Sequence, residues 1–185
     1  MSNVNIEGLL RWCAVYQGLG YGYSQVYRTM QTVNGVTFFD CSSYAFFALW
    51  LGGSVDVGGL GYDTDLSHYT SVPNEAFAPA LYGVEDMCRL LGAAQIDTLS
   101  MLRNGDLLVR ADEHCEWVFD AERLLQVGAR NSSLPAGEQV AIHALYPGYY
   151  DYIWRFEGSP PARPIPPWLL AAWDHQRRRR RGGRW

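Results

Sequence analysis

Phe39-Asp40-Cys41-Ser42-Ser43-Tyr44-Ala45-Phe46-Phe47-Ala48-Leu49-Trp50-Leu51-Gly52-Gly53 is the stretch on which the reading of this chain turns. Asp40 and Ser42 are residue types that cap helix starts. Ala45 through Leu51 is apolar over about two turns, and the glycine pair predicts a left-handed stop. A short buried helix is therefore expected, with Cys41 at its mouth. Backbone N–H groups there lack helical partners and, with the helix dipole, favour negative charge. A thiol so placed loses its proton more readily than a free cysteine and is a better nucleophile. Cysteine on an apolar helix is more often packing than chemistry. Here the flanks are polar and the apolar run begins only after Ser43, which puts Cys41 at an edge between core and solvent.

Such a thiol needs a base. Of the four histidines, His175 lies in a basic tail and His68 in a loop rich in Gly, Asp, Ser and Thr, where a solvated side chain is expected. His143 sits inside the strand pattern Val140-Ala141-Ile142-His143-Ala144-Leu145 and reads as a core or edge histidine. His114 has a different setting. It follows the turn Asn104-Gly105-Asp106 and the strand Leu107-Leu108-Val109-Arg110, and it heads a second strand, Cys115-Glu116-Trp117-Val118-Phe119. Asp120-Ala121-Glu122 then predicts a hairpin into Arg123-Leu124-Leu125-Gln126-Val127. A polar Gln on the neighbouring strand can orient an imidazole through a hydrogen bond.

These blocks, in this order, resemble the NlpC-type family of papain-like cell-wall hydrolases, most closely its phage endolysin branch. Tyr21-Gly22-Tyr23-Ser24 is similar to the aromatic segment before the nucleophile, and Asp40-Cys41-Ser42-Ser43 to the nucleophile motif. Gly105-Asp106-Leu107 is similar to the turn before the histidine strand, and Tyr149 to Phe156 to the last strand. The likeness spans roughly residues 5 to 157. It implies an α+β, papain-like fold with N-terminal helices packed on an antiparallel sheet. It also implies a peptidoglycan amidase or endopeptidase that cuts an amide bond of the stem peptide, with Cys41 as nucleophile, His114 as general base and Gln126 as the third polar residue. Asn131 is the alternative to Gln126. Asp40, Ser43, Tyr21 and Tyr23 are the substrate-side residues the likeness implies, and Tyr23 with the Cys41 N–H the oxyanion donors. The chain departs from the family at Cys115-Glu116, where a small residue or Val usually follows the histidine, and at Gln126, most often His. A carboxylate beside His114 keeps open a second reading, a catalytically silent wall-binding or virion-structural module of the same fold.

Neither a metal nor a cofactor is expected for thiol chemistry of this kind. Cys115 beside His114 lacks a second pair at zinc-ligand spacing. The four cysteines are not read as a disulfide framework, because the chain is large and apolar enough to build a core and a bridge would consume Cys41. Cys13 and Cys88 read as buried members of helices.

The chain is 185 residues long, enough for one core, and its composition includes 7 Trp, 12 Tyr and 7 Phe. Exposed aromatics would suit a glycan-peptide substrate, although a Tyr-rich core explains them equally. Every basic residue is Arg. The expected organisation is a catalytic domain at 1–157, a Pro-rich linker at 158–167 and a Trp/Arg-rich tail at 168–185. Residues 158 to 185 hold 7 Arg and one Asp, a net of +6, and the remaining 8 Arg against 18 acids leave the domain at −10. The tail is either a solvated extension or an anchor on anionic wall polymer or a membrane surface. Nucleic acid is not the expected partner, since the acidic body is repelled by phosphates. No run of 18 apolar residues and no basic-then-apolar start is present, so neither a membrane span nor a signal peptide is expected. A wall hydrolase of this kind is made in the host cytoplasm and reaches the wall after release or within a phage particle.

Within the domain, a first helix is predicted from about Ile6 to Gln17, with Leu9, Leu10, Cys13 and Tyr16 at helical spacing. A glycine-rich loop then leads to the nucleophile helix. Residues 52–74 read as a loop forming a groove wall, Pro79 as a break, and Val84 to Leu91 as a helix stopped by Gly92. Strands dominate from Gly105 onward.

Overall fold

A computed structural model describes residues 3–56, 78–96, 99–111, 113–146 and 148–158. The expected linker beyond Gly158, the tail, the groove-wall loop over 57–74, His68 and His175 lie outside the described residues. The architecture is α+β. Helix α1 (Ile6–Val15) is capped by Asn5, whose side chain accepts from the Gly8 N–H. It buries Ile6, Leu9, Trp12 and Cys13, the face its spacing predicts.

Between α1 and the nucleophile helix the structure places a small sheet where a glycine-rich loop was expected. Its strands are β1 (Tyr21–Tyr23), β2 (Thr29–Val33) and β3 (Val36–Phe39), in the order β1-β3-β2 with β1 parallel to β3. Asn34 and Gly35, both with positive φ, form the turn between β2 and β3. β3 delivers the chain directly into α2 (Cys41–Phe47), which continues as one π-helical turn over Ala48–Gly52.

The glycine pair does not supply the expected left-handed stop: Gly53 has φ −78°, and the positive φ falls on Ser54. The role of Gly52 is close approach. A Cβ there would lie 2.7 Å from Trp12 Cβ and 2.8 Å from Leu9 Cα, so its absence lets α1 pack directly on the end of the nucleophile helix.

Helix α3 spans Ala78–Leu90. Pro79 does not break it, because a first-turn proline has no helical N–H to lose. The interruption comes at Gly83 (φ 70°, ψ 165°), leaving a regular segment from Val84 that ends before Gly92 (φ 71°).

A six-stranded sheet follows, entirely antiparallel, in the order β4-β9-β5-β6-β7-β8. The strands are β4 (Ala94–Ile96), β5 (Leu107–Arg110), β6 (His114–Asp120), β7 (Leu125–Ala129), β8 (Val140–Ala144) and β9 (Tyr152–Arg155). Side-chain alternation divides the sheet's residues between two cores. Leu107, Val109, Cys115, Trp117, Val127, Ala129 and Trp154 meet the helices. Leu108, Val118 and Ile153 join Leu99, Leu102, Leu145 and Tyr150 on the other side. Covering on both faces explains why these strands read as nearly continuous apolar runs. Asp106, in the turn before β5, is fully buried and ion-paired with Arg155 of β9 at 2.6 Å. No described helix is long and apolar enough to cross a membrane.

Candidate active site

Asp40 is the N-cap of α2, with extended backbone (φ −108°, ψ 179°). Its Oδ1 accepts from the Ser43 N–H at 2.7 Å, and Ser43 Oγ accepts from the Asp40 N–H at 3.0 Å, a reciprocal capping box. Asp40 Oδ2 also lies 3.0 Å from Arg28 Nε, and both side chains are largely buried. Ser42 Oγ accepts from Arg28 and donates to Asp40. The cap thus ties β2's edge to the helix and fixes Cys41 at the first helical position. Ser43 is wholly buried in this box. It holds the helix start and cannot touch a substrate, which corrects the role its position implied; Ser42, its neighbour, lines the groove instead.

Cys41 opens onto a groove of about 470 Å³. Gln25, Asp40 and Ser42 form one side, residues 83–86 and Arg89 of α3 another, and Val109, Arg110, Glu113, His114 and Cys115 of the β5–β6 hairpin the third. His114 heads β6 where the sheet ends, opposite Arg110 of β5. There the ring meets the thiol, which the α2–β6 packing brings to the same edge.

The electrostatics of the pair are those of thiolate and imidazolium. The Cys41 thiol falls from its ordinary 9.0 to about 5, first through a hydrogen bond from the Cys115 thiol; burial opposes the shift, and the His114 ring adds to it. Burial also works against a charged His114, yet its hydrogen bonds to Cys41 and Glu116 and their negative charge raise it from 6.5 to about 10. Between those values the proton resides on the imidazole.

Glu116 holds that ring. Its Oε1 is 2.7 Å from His114 Nε2, which leaves Nδ1 for the sulfur, and its Oε2 is 2.6 Å from His143 Nε2. Glu116 is 3 % exposed. Burial disfavours its charge, but hydrogen bonds from the two imidazoles outweigh that and keep the carboxyl below its usual range. His143 Nδ1 lies 3.1 Å from the Ala144 carbonyl oxygen, which anchors the second ring.

Gln126 does not hold His114. It sits on β7 between Val118 and His143 in register, and its Nε2 is 3.5 Å from His143 Nε2. On the neighbouring strand it faces Val118, four residues along β6 from His114, and the carboxylate in contact with the His114 ring is that of Glu116. Asn131, the alternative, is exposed and accepts from the Ser133 N–H. Both nevertheless line a second cavity of about 270 Å³ behind His114, with Glu116, Arg130, His143, Tyr149 and Tyr150.

Tyr21 packs on Tyr16 and Phe39 against the helix-side core and is not among the residues lining the groove. Burial raises the pKa of the Tyr23 hydroxyl, and the charges of Cys41 and Asp40 add to the shift. Cys13 and Cys88 are buried in helices as expected, and all four cysteines are free. No His/Cys/Asp/Glu group among the described residues has the geometry of a metal site.

No protein-family model matches the sequence, and no curated protein or solved structure matches it either.

Glu116 and His143 are the site residues the sequence reading passed over. Two signals pointed to them. A glutamate flanked by Cys115 and Trp117 inside an apolar strand needs a buried partner, and residues i and i+2 of a strand share a face, which joins Glu116 to His114.

Proposed function

We propose that this chain is a thiol hydrolase of papain-like fold that cleaves an amide bond in the stem peptide of peptidoglycan. The observation that carries the chemistry is the Cys41–His114 pair at the head of α2 and β6, with Glu116 on the far nitrogen of the ring. The support for the substrate is the ordered likeness of the Tyr21, Asp40, Gly105 and His114 blocks to cell-wall hydrolases.

In this reading the Cys41 thiolate attacks the scissile carbonyl, and the His114 imidazolium protonates the departing amine. The ring, now neutral, takes a proton from water as the acyl-enzyme is hydrolysed. The Cys41 N–H and the Tyr23 hydroxyl would donate to the oxyanion. Helices on an antiparallel sheet, with the nucleophile on a helix start and the base on a strand head, support the papain-like assignment. Glu116 supports catalysis over a silent module: the carboxylate, which could have disrupted the dyad, occupies the place of the orienting group.

The test is amine release from purified peptidoglycan by the intact chain and by Cys41→Ala. Release that disappears in the variant upholds the reading, and fragment masses name the bond. Absence of release by both, across several wall types, moves belief to a binding module. Release by both means the nucleophile lies elsewhere.

A further inference from the structure

Cys115 forms no bond to substrate in that hydrolysis, yet it is in contact with the nucleophile and helps hold it as a thiolate. Its Sγ is 3.3 Å from the Cys41 carbonyl oxygen, its side chain reaches the Cys41 sulfur, and both residues line the groove. Cys41 is half-buried and accessible from the groove, whereas Cys115 is 2 % exposed. One thiol of the pair is open to a small oxidant, and the other waits directly behind it.

We propose that Cys41 and Cys115 form a peroxide-reactive dithiol, in which oxidised Cys41 is resolved by Cys115 into a disulfide that reversibly closes the site. The inference rests on the reading of Cys41 as the activated thiol. In the first step the Cys41 thiolate attacks one oxygen of hydrogen peroxide. The O–O bond breaks, Cys41 becomes the sulfenic acid, and the departing hydroxide takes the His114 proton to leave as water. In the second, Cys115 sulfur attacks Cys41 sulfur and expels hydroxide, which leaves as water with the Cys115 proton, relayed by the now neutral His114. Two thiols and one peroxide give one disulfide and two waters.

The order of events follows from the contacts. While Cys41 is a thiolate, its hydrogen bond and charge, with burial, hold the proton on Cys115 and keep it unreactive. Oxidation of Cys41 to a neutral sulfenic acid removes that hold at the moment a resolving thiolate is needed. Without Cys115, the sulfenic acid would remain open to further peroxide and pass irreversibly to sulfinic acid.

The experiment treats the full chain with one equivalent of hydrogen peroxide at neutral pH, followed by non-reducing peptide mapping. The expected result is a Cys41–Cys115 cross-linked peptide and loss of two of the four thiols. Iodoacetamide labelling of Cys41 should fall at least about tenfold and return with dithiothreitol. In Cys115→Ala, and independently in Cys115→Ser, treated with at least about two equivalents of peroxide because the second oxidation consumes another, Cys41 should accumulate as sulfinic acid that dithiothreitol does not recover. Sulfinic acid on Cys41 of the unaltered chain with Cys115 still free, a cross-link to Cys13 or Cys88, or reversible protection that survives both substitutions would overturn the proposal. None of these readouts uses wall substrate. A chain inert toward peptidoglycan that forms the disulfide sinks only the substrate reading, and one that cleaves peptidoglycan without forming it sinks only the dithiol.

Discussion

His114 Nε2 and Glu116 Oε1 are 2.7 Å apart on one face of β6, two residues from each other, and the carboxylate's second oxygen is held by His143 from two strands away. Glu116→Gln keeps the shape and removes the charge. The His114 proton should then be lost 1–3 units lower than about 10, the range a close opposite charge commands. The alkaline limb of the kcat/KM profile reads this shift. Gln126→Ala, by contrast, should leave that limb within about 0.5 unit, because Gln126 is uncharged and its side chain meets His143, not the His114 ring. A limb that moves with Gln126 and not with Glu116 would restore the family-like assignment.

His143→Leu leaves Glu116 Oε2 buried without a donor and should lower the same limb, whereas His143→Gln, which retains an N–H, should restore most of it. A loss of melting temperature without movement of the limb would reduce His143 to a packing residue.

Alkylation by iodoacetamide should follow a titration midpoint near 5 at Cys41 alone. Cys13, whose thiol burial pushes up to about 12, and Cys88, raised well above its ordinary value by burial, should remain unlabelled in the native state. Removal of the Cys115 donor in Cys115→Ala should move the Cys41 midpoint upward. Equal labelling of all four thiols would count against an activated pair.

Stability should depend on pH with a plateau. Cys41 binds its proton more weakly in the folded state (about 5 against 9.0), so its contribution is complete above 9.0 and lost as pH falls through 5. His114 binds more tightly (about 10 against 6.5), so its contribution is complete below 6.5 and lost as pH rises through 10. Taken together, folding releases a proton between 5 and 6.5, moves one from sulfur to nitrogen between 6.5 and 9.0, and takes one up between 9.0 and 10. Stability from this pair should rise, level and fall over those three windows. Urea denaturation of the native chain and of Cys41→Ala, compared pH by pH, isolates the pair's share; identical curves would contradict it.

Asp40→Ala removes the α2 cap and breaks the Arg28–Asp40 ion pair, both in buried surroundings. A loss of about 2–4 kcal/mol is expected from the cap and the broken pair combined. Calorimetric melting measures it. A change under about 0.5 kcal/mol would mean that solvent replaces both interactions.

Local signals made most of this fold legible. The α1 face, Gly92 as a helix stop and the strands from Leu107 onward all rest on contacts between near neighbours, and the sequence pattern carries such contacts. The small β1-β3-β2 sheet escaped because β1 pairs parallel with a strand sixteen residues on, and glycine-rich text gives no alternation to read. Position along the chain identified Cys41 and His114 as candidates, since capping residues and a strand head are local features. The partner of the His114 ring is not legible for the opposite reason. Distance in sequence points to Gln126, but a hydrogen bond is decided by register, and the register puts Gln126 opposite Val118.

The two cavities that meet at His114 make the imidazole a wall with a separate chamber on each side. A molecule admitted to the rear chamber would touch the base without occupying the substrate's place. Its kinetic signature would be a fall in kcat at unchanged KM, inhibition that added substrate does not relieve. The reactivity of Cys41 can in this way be read, and altered, from behind.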